Sequence, residues 1–225
     1  MSYFVGIDPS ITNTGGVVLD AEGKLVHCFN TKHRPSTDKA KGIYAGLLRY
    51  QEITDYVISN IELCLPNKSG LPIICYENYS YDSQNLAFTI GELGGVLKLG
   101  LVKSFGNIIL IEPKKLKKFA TGSGSSGKKS VVNKACEESD ELMGLGKKQM
   151  TDDVCDAYFL AKFAWYIAQP KLAAKFDLNN DLLRERLSMA KFNYRSMKDD
   201  EREHLGDYSA FASGSGRGAD RRKRK

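Results

Sequence analysis

The sequence predicts an α/β fold in which a five-stranded mixed sheet, three strands antiparallel and the later ones parallel, is flanked by helices on both faces. Three observations carry this. Short apolar runs separated by tight turns open the chain, so the first three strands pair antiparallel. Later apolar runs are separated by long stretches with helical spacing, and such crossovers join parallel strands. Hydrophobic residues make up 42% of the 225 positions, enough for a sizeable core and too many for a wholly disordered chain.

Residues 3–7 read as a buried strand ending at Asp8-Pro9. Residues 15–20 and 24–31 form a hairpin around Ala21-Glu22-Gly23. From Ile43 to Leu65, apolar Ile43, Leu47, Leu48, Ile53, Val57, Ile58 and Ile61 are spaced for a helix, which residues 66–70 break. Leu71 to Tyr76 is a short strand arriving at Glu77. Leu86 to Leu101 reads as a helix whose Gly91, Gly94 and Gly95 permit close packing. Ile108 to Ile111 is the last strand, stopped by Glu112-Pro113. A basic segment, Lys114 to Lys118, and a flexible Gly/Ser stretch, Thr121 to Gly127, precede a helix from about Ser130 to Leu142. Thr151 is placed to cap a helix from Asp152 to Ala168, with Val154, Ala157, Leu160, Ala161, Ala164 and Trp165 on its apolar face. The resulting division is a domain over 1–170, a charged helical extension over 171–205, and a disordered basic tail over 206–225.

Charge and cysteine content narrow the function classes. The net charge of +6 comes largely from residues 214–225, which carry +5. The near-neutral remainder hides contrast: residues 98–134 hold nine lysines against Glu112, and residues 137–156 hold seven acids against Lys147 and Lys148. Five cysteines without a CxxC pair, and only His27, His33 and His204, exclude a Cys/His zinc site of ordinary spacing. Scattered thiols fit a reducing compartment, and the N-terminus lacks the pattern of a signal peptide. No apolar run approaches the ~20 residues that span a bilayer. A cytoplasmic protein is expected, in the host cytoplasm if viral, with no membrane partner and no nucleotide cofactor.

Asp8 and Glu77 each stand where a buried strand gives out. If those strands are parallel neighbours, their carboxylates lie side by side, where open α/β sheets place ligands. Asp153 and Asp156, three apart near a helix start, share one face. Taken singly these have plain explanations, since the macrodipole favours acids in a first helical turn and Asp-Pro is a common turn. Taken together they describe an all-oxygen site for a hard cation such as Mg²⁺. Two ions about 4 Å apart would serve phosphodiester hydrolysis, activating water and stabilising the leaving oxygen.

Gly6-Ile7-Asp8-Pro9-Ser10 and Thr14-Gly15-Gly16, with Tyr76-Glu77-Asn78, Gly91 to Val96, the basic-glycine segment and Asp152-Asp153-Val154-Cys155-Asp156-Ala157, resemble the RuvC family of Holliday-junction resolvases, in a phage-type form. The resemblance covers about residues 3–168 and implies the RNase H-like fold. It also implies a homodimeric, metal-dependent crossover junction endodeoxyribonuclease acting in DNA recombination and repair. Such an enzyme would make paired symmetric nicks in four-way junctions, leaving 5′-phosphate and 3′-hydroxyl ends. Carried onto this chain, Asp8, Glu77, Asp153 and Asp156 would hold two Mg²⁺ per active site, with Mn²⁺ as a substitute. Asp152, four before Asp156 on the same face, stays open as a replacement for Asp153. Lys117 and Lys128, with Gly122 and Gly124 between them, would act on the scissile phosphate, and Lys118 would contact DNA. The family places an aromatic three residues after the strand glutamate; here that position is Ser80, flanked by Tyr79 and Tyr81, either of which would supply a wedge or stacking surface against the DNA.

Alternatives within reach of the sequence are a flap or branched-DNA endonuclease with relaxed junction selectivity, and a non-catalytic DNA-binding module. Gly6-Ile7-Asp8 with Thr12-Asn13-Thr14-Gly15 also looks like the phosphate loop of actin and sugar-kinase ATPases, but those need a second such domain that the remaining length does not hold. Deleting residues 214–225 is expected to weaken binding to all DNA and to flatten its salt dependence, as read by binding titrations across ionic strengths.

Overall fold

The computed structural model describes residues 2–31, 43–65, 71–78, 87–106, 108–146 and 149–168. Met1–Trp165 form one compact unit. The readings made for residues 171–205 and 206–225, and for Tyr79 and Tyr81, lie outside the described residues.

Five strands, β1 (Phe4–Asp8), β2 (Gly15–Leu19), β3 (Leu25–Asn30), β4 (Ile73–Glu77) and β5 (Ile108–Ile111), form one sheet in the order β3-β2-β1-β4-β5. The β1–β2 and β2–β3 pairs are antiparallel, and β1–β4 and β4–β5 are parallel. The expected mixed sheet is present. At the β2–β3 turn, Asp20 Oδ1 accepts from the backbone N–H groups of Glu22 and Lys24, both at 2.9 Å. Gly23 takes the positive φ of 77° that closes this hairpin.

Strand alternation assigns each side chain to one of two layers. Val5, Ile7, Val18, Ile74 and Tyr76 point to a core shared with α1 (Ile43–Glu62) and α2 (Ala87–Phe105). On α1 the buried stripe is Tyr50, Ile53, Val57 and Ile61; Leu47 and Leu48, expected on that face, are nearly half exposed. On α2 it is Leu93, Leu97, Leu101 and Phe105, at i, i+4 spacing. Among the described residues, nothing comes within 4 Å of where a Cβ would stand at Gly91 or Gly95, while Gly94 is buried. Thr54 and Ile58 of α1 pack closely over Gly100.

The opposite face of the sheet carries Gly6 and Asp8 of β1 and Gly15 of β2, and α6 (Asp152–Ala168) lies against it. A Cβ at Gly6 would run into the backbone of Ala157 and Ala161 and meet Leu160 Cβ at 2.8 Å. A Cβ at Gly15 would press on the Asp153 carbonyl and meet Val154 N at 2.8 Å. Bare backbone at these two positions lets the helix settle onto the strands. Trp165 Nε1 donates to Ala21 O at 3.1 Å, fixing α6 to the hairpin turn.

The segment between β5 and α6 is more helical than its composition suggests. The lysine-rich run forms α3 (Pro113–Thr121), with Pro113 in the first turn and Gly122 closing it at φ 83°. Leu116, Phe119 and Ala120 supply its buried face, and Phe119 meets Phe163 of α6 edge-on at 5.1 Å between ring centres. The next helix, α4, runs Lys128–Glu138. Ser139 interrupts it, its side chain accepting from Leu142 N to start the single turn α5 (Asp140–Met143). The continuous helix expected to Leu142 is thus two. Among the described residues, no helix is long and apolar enough to cross a membrane.

Gly6→Ala forces backbone apart from backbone rather than displacing a flexible side chain. Urea titration of this variant should show a loss of about 3 kcal/mol, the upper end for overpacking, with Gly15→Ala behaving alike.

Candidate active site

Parallel register brings the first two acids together. Gly6 pairs with Cys75 and Ile7 with Tyr76, so one step further Asp8 lies beside Glu77 at the strand ends. Both side chains fall on the α6 side by strand parity. Asp8 is 7% exposed and shares a hydrogen bond with Glu77. Burial first, and then Glu77, Asp156 and Asp153, push the Asp8 carboxyl well above the usual range. Burial also raises Glu77, while the bond from Asp8 and the positive charges of Lys117 and Lys128 pull it back.

The close seat of α6 brings the other two acids to the same end of the sheet. Burial, followed by repulsion from Glu77 and Asp153, lifts Asp156 from the ordinary 3.8 to about 7, against the lowering influence of Lys128 and Lys117. Asp8, Glu77 and Asp156 each feel Asp153 and at least one other of these acids. Lys117, half-buried on α3, and Lys128, exposed at the start of α4, are the cations set against them.

The two candidates for the first helical acid have different surroundings. Asp152 is exposed and forms an ion pair with Lys128 at 3.6 Å. Asp153 is half-buried, and Asn13 Nδ2 donates to its Oδ2. Asp153 is also the one whose charge acts on Asp8, Glu77 and Asp156. Thr151 caps α6 as expected, its Oγ1 accepting from Val154 N at 3.3 Å. The same Oγ1 accepts from Asn13 Nδ2 at 3.1 Å.

Asn13 went unread as a site residue. Its signal was a buried polar side chain in Thr12-Asn13-Thr14-Gly15, between two apolar strands, at the end of the sheet where the acids stop. Its turn is held firmly. Thr14 Oγ1 donates to Ser10 O at 2.6 Å and accepts from Ser10 N at 3.1 Å, while Thr14 N donates to Thr31 Oγ1 at 2.9 Å.

The donor set is all oxygen and suits a hard divalent cation. Among the described residues, no three His, Cys, Asp or Glu side chains are already drawn into one ligand shell. Asp8 and Glu77 instead bond each other, and Asp153 bonds Asn13. The fit lies in the burial: three acids raised by burial and by their neighbours carry repulsion that a divalent cation among them would relieve.

No protein-family model matches the chain. A crossover junction endodeoxyribonuclease RuvC from Brevibacillus brevis is 28% identical over 160 residues, covering 70% of this chain and 87% of that protein. A Thermus thermophilus RuvC structure superposes with a TM-score of 0.53 at 22% identity, covering 73% of this chain and 94% of that one. The chain is RuvC-like. T. thermophilus RuvC in complex with a Holliday junction substrate gives a TM-score of 0.54 at 19% identity, covering 76% of this chain and 96% of that one. The RuvC-like match agrees with the five-stranded sheet read from the sequence.

Raised carboxyl pKa values carry a defined pH signature. Folded Asp156 keeps its proton to about 7, whereas the unfolded chain releases it near 3.8. Its contribution to stability is full below the unfolded value and is lost as pH rises through the folded one. In chelator, Asp156→Asn should match the parent near pH 4 and exceed it by a few kcal/mol above about pH 8, read by thermal melts.

Proposed function

We propose that the chain is a divalent-cation-dependent endonuclease that resolves four-way DNA junctions, working as a homodimer. The observation that carries this reading is the gathering of Asp8, Glu77, Asp153 and Asp156 at one end of a RuvC-like sheet, with Lys117 and Lys128 set against them. A purely DNA-binding protein gains nothing from buried carboxylates near phosphate, where unscreened negative charge opposes binding. The sequence similarity to a crossover junction endodeoxyribonuclease and the fold of a RuvC solved with a Holliday junction support the junction as substrate.

The four carboxylates would hold Mg²⁺, two ions per site, with Mn²⁺ as a substitute. Bound there, the cations supply an activated water and stabilise the leaving oxygen. The chain's own groups do the rest. Asp8, on β1, and Glu77, on β4, stand on adjacent rigid strands, and Asp153 and Asp156 on a helix seated by glycine contacts, so the carboxylates are fixed before DNA arrives. Lys117, on the first face of α3, holds the scissile strand and damps charge developing on the phosphate. Lys128 does the same from the start of α4, where its ion pair with Asp152 is exposed and readily exchanged for DNA phosphate. Lys118 contacts DNA from the exposed side of α3, and Tyr79 and Tyr81 are proposed as the junction wedge on sequence grounds. A two-fold junction requires two nicks related by symmetry, which a C₂ dimer provides. The cytoplasm is the proposed compartment.

Nicking of a four-way junction, a three-way junction, a flap and plain duplex, with Mg²⁺ and with chelator, tests the proposal. Junction nicking that disappears in chelator is expected, and cleavage indifferent to chelator would overturn the reading. Asp153→Asn should retain junction binding and lose nicking. Undiminished cleavage by that variant would transfer the role to Asp152. Lys117→Ala should slow single-turnover cleavage about 10²-fold while changing junction affinity far less; equal losses would make it a phosphate anchor only.

A further inference from the structure

Asn13 sits in the β1–β2 turn with 8% of its surface exposed. Its amide donates twice, to Thr151 Oγ1 at 3.1 Å and to Asp153 Oδ2. The orientation follows from the partners. Flipping the amide would turn its carbonyl oxygen onto the Asp153 carboxylate, acceptor against acceptor. Asn13 Oδ1 is left buried, with no hydrogen-bond partner among the described residues. An amide oxygen stranded in this way costs free energy unless something donates to it.

The clamp is anchored on both sides. Thr14 is locked to Ser10 and Thr31, and Asn30 Nδ2 reaches Gln149 O at 3.3 Å, so the turn and the approach to α6 are joined at several points. An isolated carboxylate at the half-buried Asp153 would be free to rotate, and repulsion from Asp8, Glu77 and Asp156 would drive it away from them. The Asn13 amide opposes that rotation.

We infer that Asn13 is a positioning residue for cation binding: it fixes Asp153 through Oδ2, leaving the other carboxylate oxygen for the cation, and offers its own Oδ1 to a cation-bound water. This deepens, and rests on, the metal-dependent nuclease reading above. Water in a divalent cation's shell directs its hydrogens outward, so it matches a buried acceptor. A leucine at position 13 would keep the shape and lose both functions, and alanine would lose the volume as well.

The test is Mn²⁺ binding to the full-length chain, followed by electron paramagnetic resonance titration, for the parent, Asn13→Ala and Asn13→Leu. Each is measured where its cation-free circular dichroism is native. Both variants are expected to bind Mn²⁺ about tenfold more weakly. The Mg²⁺ concentration for half-maximal nicking should rise in step, while the rate at saturating Mg²⁺ falls much less. A merely structural role would lower the cation-free melting temperature and leave affinity unmoved. Binding within about twofold of the parent in a folded variant overturns the inference. Should Asn13→Ala fail to fold, the near-isosteric Asn13→Leu decides. A parent chain that binds no Mn²⁺ at all would defeat the nuclease reading itself, and this inference with it.

Discussion

The approach of α6 to the sheet governs the rest of the molecule. Two strands present bare backbone at Gly6 and Gly15, and the helix rests there on the small Ala157 and Ala161 and on its own first turn. A Cβ at either glycine would overlap the helix backbone, so the helix could not keep this seat. The acids on the sheet and the acids on the helix belong to segments about 75 to 145 residues apart in the chain. They meet only because this contact is so close. The same contact places Asn13, in the turn between those two strands, against the cap of the helix.

Bringing carboxylates together costs free energy, and the chain's own groups offset part of it. Unit charges ~4 Å apart repel by roughly 4 kcal/mol at an effective dielectric near 20. Asp8 and Glu77 answer by sharing a hydrogen bond, their carboxyls pushed up by burial. Asp156 answers by titrating near neutrality, and Asp153 is held by an amide. Lys117 and Lys128 offset part of what remains. A divalent cation would replace these partial measures with one strong interaction, so metal affinity and folding stability are linked.

Much of this was legible before any coordinates. Asp8 and Glu77 could be read because a buried strand that ends on an acid is a local pattern, and the order of strands makes the two ends neighbours. The spacing of Asp153 and Asp156, and the cap at Thr151, are equally local. What escaped reading depends on partners distant in sequence. Lys114 to Lys118 read only as a basic segment, because charge masked the Leu116, Phe119, Ala120 face that packs inward. Leu47 and Leu48 have the right spacing for the α1 stripe, yet the helix turns them outward. The choice between Asp152 and Asp153 turns on Lys128 and Asn13, which no spacing rule connects to them.

The proposed cation site requires the four carboxylates to act on the same ions. Anomalous diffraction from crystals grown with Mn²⁺ tests it most directly. The account predicts manganese among Asp8, Glu77, Asp153 and Asp156, at about 2.1 Å from carboxylate oxygens, with the Asp8–Glu77 hydrogen bond broken. Manganese bound elsewhere, with Asp8 still bonded to Glu77 and Asp153 remote from any ion, would contradict it.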